Sequence, residues 1–563
     1  MGKKKKRIKK SGIVILVVVV ALIITGFIVI SNMIKEKNRL KEHEMMYLAN
    51  DTNKVTLYDE LNKEVDSIYR GNSVDVYKNV LLEDGKVKIV YKDKIYYVDN
   101  KNLVKDKKDI VKEKEKYVRT SIDLLTNYKQ PYIETLSKKG DKLEIVGYSS
   151  LDNEGNVISY QVKTSDGHTG YIRSKYVVDT LEEANKNYDE EGLYKTHSSR
   201  KDKLGGGNGG SLDYYPVEKP KFSDNPMPEQ VYALYLNGTK AVISNVDKYI
   251  EYAKTTKINA FVVDIKDSGV TGYASPLMKE ISPTSYKYAQ NSLEDYQKAI
   301  KKIKDNGFYV IGRITTFKDE YFIKDHKEYA INRNGGPYKD NAGNYWPTAF
   351  NRKVWEFNIG LAIEAVQKMG FNEIQFDYVR FPDRTQSIEK TLDYLNTYKE
   401  TKAEAIQRFL LYATDVLHEF NVYVSADVFG ESSWGYVTAY GQYWPAISNV
   451  VDAISAMPYT DHFGSNSSYW TNPYQTMKNW GKTAAERQKE IPTPAVARTW
   501  ITAYNTPYWN PTVQYNGEKL TEQINGLYEA GLKGGYMTWN SGSNLEKYKL
   551  QKSAFTKEYK WKK

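Results

Sequence analysis

The spacing of apolar and polar residues changes character several times along the chain. From Ile13 to Ile30 the sequence is apolar, interrupted only by Thr25 and Gly26. A helix of about 18 residues rising 1.5 Å each spans roughly 27 Å, close to a bilayer core. Residues 31–52 are charged and predict a short stalk. Between 53 and 104 the period drops to two, in Val55–Tyr58, Ser73–Tyr77, Lys86–Tyr91 and Lys94–Val98, with an Asp84-Gly85 turn between strands. That alternation predicts a small antiparallel β module. A second β-patterned run of similar size covers 117–179, after a Lys/Glu-rich bridge. Residues 180–228 hold Leu204-Gly-Gly-Gly-Asn-Gly-Gly210 and Pro216, Pro220, Pro226 and Pro228. Glycine loosens a chain and proline blocks helices, so this segment reads as a tether.

From 229 to 550 one pattern recurs eight times: a short β-branched or apolar run, polar residues at its end, then a helical stretch. The strand runs are Val231–Asn237, Ala260–Lys266, Tyr309–Thr315, Glu373–Val379, Val422–Val428, Val451–Met457, Thr493–Trp500 and Gly534–Asn540. Helical stretches such as Leu293–Lys304, Val354–Met369 and Ala403–Phe420 separate them. Eight such units predict an α/β fold, a (β/α)8 TIM barrel. The alternative, an open doubly wound sheet, calls for a glycine-rich phosphate turn after its first strand. Here that strand ends in Asn237-Gly238-Thr239, which is not that motif.

Charge and composition narrow the function. The formal charge is +11, but seven positive charges lie among the first ten residues, and the rest of the chain is near neutral. This excludes a general nucleic-acid binder. The basic segment 1–12 ahead of the apolar run 13–30 predicts a single-pass membrane anchor, with a cytoplasmic N-terminus and everything after it extracellular. The rival is a cleaved signal peptide; the run is long for a signal core, and Ser31-Asn-Met-Ile34 offers no small-x-small site. Cysteine is absent, which excludes disulfides, thiolate zinc sites, a thiol nucleophile and a lipoprotein anchor. All ten tryptophans lie beyond residue 340.

In a barrel of this kind the chemistry sits at the carboxyl ends of the strands. Those ends carry Asp264 on strand two; Arg313, Lys318 and Asp319 on strand three; Asp377, Tyr378 and Arg380 on strand four; Asp427 and Glu431 on strand five; Tyr459, Asp461 and His462 on strand six; and Trp539 and Asn540 on strand eight. Side chains alternate along a strand. If Phe376 and Tyr378 face the helices, Asp377 faces the mouth. If Val424, Ala426 and Val428 face the helices, Asp427 does too. Two carboxyl groups on neighbouring strands suit glycosidic cleavage, where one protonates the leaving oxygen and the other attacks or activates water. The plainer readings are a helix N-cap for any single Asp and an ion pair between Asp377 and Arg380. Trp346, Trp434, Trp470, Trp500, Trp509 and Trp539 fall at or after strand ends, where aromatic planes stack on sugar rings; Trp355 and Trp539 also suit the core. His462 is expected to bond sugar hydroxyls. One His and one Asp are too few for a metal site, and this chemistry requires neither metal nor cofactor.

Two resemblances sharpen these expectations. Residues 117–179 carry a Lys139-Gly-Asp141 turn, a Tyr160-Gln-Val-Lys163 strand and a Gly170-Tyr-Ile…Tyr176-Val177 ending, in the order found in bacterial SH3-like modules. Residues 53–104 resemble that family more weakly. The resemblance implies peptidoglycan or wall contact; a folded spacer is the alternative. Residues about 230–545 resemble the putative glycosyl hydrolase barrel family of bacterial envelope proteins. The resemblance rests on Asp264-Ile-Lys-Asp267, Gly312-Arg-Ile with Phe317-Lys-Asp319, Glu373-Ile-Gln-Phe-Asp-Tyr-Val-Arg-Phe-Pro382, Ser425-Ala-Asp-Val-Phe-Gly430, and Met457…Tyr459 with His462-Phe463. That family is distantly similar to α-amylase-type barrels. The similarity implies Asp377 as nucleophile and Asp427 or Glu431 as acid. It departs from the family at Tyr459-Thr-Asp-His462, where Tyr-Pro-Ser-His is usual, and at Arg498-Thr-Trp-Ile-Thr502, where Arg-Pro-Trp-Leu-Gln is usual. The expectation is an anchored extracellular glycoside hydrolase acting on a cell-wall glycan or other polysaccharide. The alternative is a non-catalytic carbohydrate binder that uses the barrel as a lectin.

Overall fold

The computed structural model describes residues 24, 25, 27–31, 33, 39, 41–81, 84–127, 130, 132–506 and 508–559. The basic segment and most of the apolar run expected as an anchor lie outside these residues. Among the described residues no helix is long and apolar enough to cross a membrane. The chain divides into two compact units: residues 1–117 with 142–180, and 118–141 with 181–563.

From residue 43 onward the first unit is built on β strands. Strands His43–Leu48, Lys54–Tyr58, Glu64–Tyr69, Ser73–Leu81, Lys86–Tyr91, Lys94–Asp99 and Leu103–Val104 form one antiparallel sheet around Leu48, Val55, Leu57, Ile89 and Val98. The predicted stalk is therefore shorter than 31–52. His43–Leu48 places Met46 and Leu48 on the core side and pairs with Ser73–Leu81. The unit also contains antiparallel strands Lys142–Tyr148, Ser159–Lys163 and Thr169–Arg173.

The second unit is mixed α/β and holds a nearly closed parallel barrel. Its strands are β1 (Val231–Leu236), β2 (Ala260–Asp267), β3 (Tyr309–Thr315), β4 (Glu373–Asp377), β5 (Tyr423–Phe429), β6 (Ala453–Met457), β7 (Val496–Ala497), β8 (Thr499–Thr502) and β9 (Gly535–Trp539). β7 and β8 occupy one strand position. β7 pairs with β6, β8 pairs with β9, and β9 returns to β1. Between them Arg498 N–H donates to the Ile454 carbonyl at 2.9 Å. β1 thus has neighbours on both sides, unlike the end strand of an open sheet. Helices follow the strands, among them α1 (Leu293–Asp305), α2 (Arg352–Met369), α3 (Lys402–Leu417), α4 (Pro473–Gln488) and α5 (Gly517–Glu529). Thr401 and Glu404 form a reciprocal capping box that starts α3.

The barrel interior is polar in layers. Low in the barrel, Glu373 and Arg498 form a fully buried pair at 2.7 Å, and Tyr309 donates its hydroxyl to Glu373 at 3.0 Å. Above them Gln375 reaches Ser455 at 3.3 Å. At the carboxyl ends of the strands, Arg313 gathers the buried carboxyl groups of the site. Phe376 points the other way and packs edge-on against Phe409 of α3, as alternation requires.

Residues 181–230, where the composition predicts a tether, pack against the barrel. His197 is buried, stacks on Tyr214 with ring centroids 3.8 Å apart, and lies close to Arg200, which pairs with Glu490 at 2.6 Å. Gly206, Gly207, Gly209 and Gly210 serve close approach rather than looseness. A Cβ at Gly206 would lie 1.9 Å from the Thr438 carbonyl oxygen, and Gly207, at φ +126°, faces Thr401. A hairpin of Ile122–Leu125 and Ile133–Ser137 belongs to the same unit. Arg352 binds Asp123 at 2.9 Å and Glu400 at 2.5 Å in its interior.

Candidate active site

β4 ends at Asp377, and the chain turns sharply there. Tyr378 takes φ +50°, a left-handed conformation unfavourable for a residue with a Cβ. The end of β3 holds the turn: Thr316 N–H donates to the Asp377 carbonyl at 2.7 Å and Phe317 N–H to the Tyr378 carbonyl at 3.2 Å. The Tyr378 N–H donates to Asp377 Oδ1 at 2.6 Å. Arg313 donates to Asp377 Oδ2 from Nη2 at 2.6 Å and from Nε at 3.1 Å. The carboxylate is thus oriented by three N–H donors and neutralised by one guanidinium. Backbone strain beside a buried carboxylate is a common mark of a functional site. The turn also swings the Tyr378 ring to the mouth instead of toward the helices.

Arg313 also donates from Nη1 to Asp264 Oδ1 at 2.7 Å, and the Tyr235 hydroxyl donates to Asp264 Oδ2. Burial pushes the Asp264 carboxyl up to about 7, with Arg313 pulling the other way and Asp267 adding to the rise. Asp427 lies at the mouth end of β5 but is sealed from solvent. Its Oδ1 accepts the Trp500 indole N–H at 2.8 Å. Its Oδ2 accepts no hydrogen bond among the described residues, and Arg313 Nε stands 3.9 Å away. Burial, then the charge of Asp377, raises the Asp427 carboxyl well above the ordinary range, against the pull of Arg313.

A cavity of about 170 Å³ opens over this layer, lined by Arg313, Asp377, Tyr378, Arg380, Phe429, Met457, Tyr459, His462, Trp500 and Trp539. Eight of the residues read from the sequence meet here. The Arg380 guanidinium lies over Phe429 at 4.4 Å, Trp346 at 5.0 Å and Tyr378 at 5.1 Å, and its ion pair is with Asp383 at 3.1 Å. Arg313, not Arg380, is the partner of Asp377. Tyr459 is buried and meets the half-exposed His462 edge-on.

A larger cleft of about 850 Å³ shares Phe429, Met457 and His462 with this cavity and holds Glu431, Trp434 and Asp461. Glu431 accepts the hydroxyls of Tyr436 at 3.0 Å and Tyr440 at 2.9 Å. Asp461 accepts the Tyr504 hydroxyl at 2.7 Å. Trp434 is 48% exposed on the rim. The remaining residues do not join the cavity lining. Asp319 pairs with the buried Lys266 at 2.7 Å and caps the helix Glu320–Asp325 through Phe322 N–H. Lys318 lies over the Tyr378 ring at 4.7 Å. Asn540 donates to the Asn544 carbonyl at 3.2 Å. Trp346, Trp470 and Trp509 are buried, so they offer no open stacking face. Sequence reasoning missed Tyr235, Phe429 and Met457. Each reads as an ordinary strand residue, and only the parity shared by Tyr235 and the inward face of β1 could have flagged the first.

Comparisons with known proteins agree with a carbohydrate-active barrel at the level of family. A family model described as "Putative glycosyl hydrolase domain" matches residues 233–545, more than half of the 563 residues. A search of curated proteins finds no match. Among solved structures, a hypothetical protein from Ruminiclostridium thermocellum is 39% identical over 35% of this chain and 97% of its own, with a TM-score of 0.30. The PgaB (BpsB) glycoside hydrolase domain from Bordetella bronchiseptica is 11% identical over 59% of this chain and 100% of its own, at 0.43. The maltogenic α-amylase AmyB from Thermotoga neapolitana is 11% identical over 56% and 68%, at 0.35.

Proposed function

The chain belongs to the putative glycosyl hydrolase domain family, and from that premise we propose that it is an extracellular glycoside hydrolase with a (β/α)8 TIM barrel, anchored in the membrane by residues 13–30 and acting on a cell-envelope or extracellular polysaccharide. One observation carries the reading: Asp377, held by Arg313 and by its own strained turn, lines an aromatic cavity at the carboxyl ends of parallel strands. In this account Asp377 attacks the anomeric carbon or orients water against it. Glu431 gives the leaving oxygen its proton, because it borders the open cleft that runs into the cavity. Asp427 is a positioning residue. Bonded to Trp500 and raised above the ordinary carboxyl range by burial, it lies behind Asp377 and outside the cavity lining. Tyr378, Arg380, Tyr459, His462 and Trp539 supply the polar and stacking contacts of the sugar in the cavity, and Trp434 and Asp461 those in the cleft.

The antiparallel strands of the first unit support SH3-like modules facing the wall. The basic residues before the apolar run support the orientation. Protease treatment of intact protoplasts tests it: the barrel is cleaved if it is outside and protected if it is not. The enzymatic reading is tested by incubating the purified protein with cell-wall glycans, teichoic acids and α- and β-glucans and assaying new reducing ends. Turnover of one class is expected. The absence of a second carboxyl group from the cavity lining favours a lectin as the other reading; binding of several glycans with turnover of none would establish it.

A further inference from the structure

Beyond the cleft lies a third depression, of about 420 Å³, that the chemistry at Asp377 does not use. Its floor is one face of α4. Asn472, Gln475, Thr476, Asn479, Trp480 and Thr483 recur at three- and four-residue spacing and all line it. From Gln475 to Thr483 that face runs about 12 Å at 1.5 Å per residue. The opposite wall comes from the loops after β5 and β6, through Trp434, Phe463 and Tyr469. Those same three residues also line the larger cleft, so the two spaces adjoin. The larger cleft in turn meets the cavity over Asp377. The three spaces therefore adjoin one another in series from the cavity to α4.

Two features of the lining identify its occupant. Every side chain in it is uncharged, whereas the cleft carries Asp383, Arg384, Glu431 and Asp461. It also joins the half-exposed Trp434 ring and the part-exposed rings of Phe463 and Tyr469 to carboxamides, with Gln475 Nε2 donating to Asn479 Oδ1 at 2.7 Å and so leaving the Gln475 carbonyl and the Asn479 amide protons directed elsewhere. Rings for C–H faces and amides for hydroxyls are the groups that hold a sugar without selecting a charge. An anionic glycan would find no cation there. We infer that this depression is a distal subsite for a neutral polysaccharide chain, occupied by sugars several units away from the bond that is cut, so that the protein acts within long chains. The inference rests on the glycan-hydrolysing reading above for the position of the cut, but not for the binding.

The test is the double variant Gln475→Ala/Asn479→Ala. Both positions are exposed on a helix, so the fold tolerates the change. With the glycan that wild type turns over, KM for long oligosaccharides is expected to rise about tenfold, the loss of one or two hydrogen bonds. The kcat for long chains and all kinetics on the shortest substrate should stay unchanged. Equal effects on short and long substrates, or none on either, would overturn the subsite while leaving the hydrolase reading intact. A second arm needs no turnover. Calorimetry of the inactive Asp377→Asn protein with malto-, cello- and chito-oligosaccharides should give affinity that grows with chain length and falls in the double variant. If that holds while wild type hydrolyses nothing, the hydrolase reading fails and the subsite stands. If none of these neutral oligosaccharides binds, the neutral assignment is wrong.

Discussion

Replacing Asp264 with Asn isolates the electrostatics of the site from its chemistry. Asp264 is fully buried and bonded to Arg313 and Tyr235. Its carboxyl is pushed from an ordinary value of 3.8 up to about 7. A folded value above the unfolded one means that the folded state holds the proton more tightly. The resulting stabilisation is complete below about pH 4 and is lost as the pH rises to about 7. At about 1.4 kcal/mol per unit, this group removes on the order of 4 kcal/mol of barrel stability across that window. For a unit of some 400 residues, that corresponds to roughly 5 °C in Tm. The Asn variant keeps the shape and lacks the titration. Its Tm relative to wild type should therefore climb between pH 4 and 7 and level off above. Tryptophan fluorescence reports the barrel unit alone, because every tryptophan lies beyond residue 340. A difference between the two proteins that is flat from pH 4 to 8, or that falls with pH, refutes the reasoning.

Three further outcomes follow from particular contacts. Trp500→Phe keeps a ring but removes the N–H that Asp427 accepts, and should cost about 1–3 kcal/mol in denaturant titration; an unchanged midpoint would show that the bond contributes nothing. Gly206→Ala should destabilise the barrel unit by about 1–3 kcal/mol, since the new methyl meets the Thr438 carbonyl; a true tether would register no change in Tm. Trp434→Ala should leave Tm unaltered, because the ring is half-exposed, and weaken oligosaccharide binding by about 1 kcal/mol; unaltered affinity would remove Trp434 from the binding surface.

Much of the barrel was legible because its strands are short, inward and outward faces alternate, and helices intervene at regular intervals. Period two placed Asp377 and Phe376 on opposite faces, as found. Period two carries no information about depth. β4 ends at Asp377, whereas β5 continues two residues past Asp427, so Asp427 is roofed over while Asp377 reaches the cavity. Nor does it register a left-handed residue: Tyr378 was expected against the helices, and its positive φ turns it to the mouth. The alternative of an ion pair between Asp377 and Arg380 rested on nearness in sequence and is not formed. Arg380 is near in sequence, but Arg313 is adjacent across the sheet, where Thr315 of β3 pairs with Asp377. Glycine was misread at 204–210, because composition does not distinguish a residue chosen for freedom from one chosen because a carbonyl lies where its Cβ would be.

The central claim is that Asp377 performs the chemistry, and Asp377→Asn tests it most directly. The change keeps the volume and the contact with Arg313 while removing the charge. Against the glycan that wild type hydrolyses, kcat should fall on the order of 10³ or more, with a cooperative unfolding transition retained. Turnover at the wild-type rate in a folded Asp377→Asn protein would contradict the account.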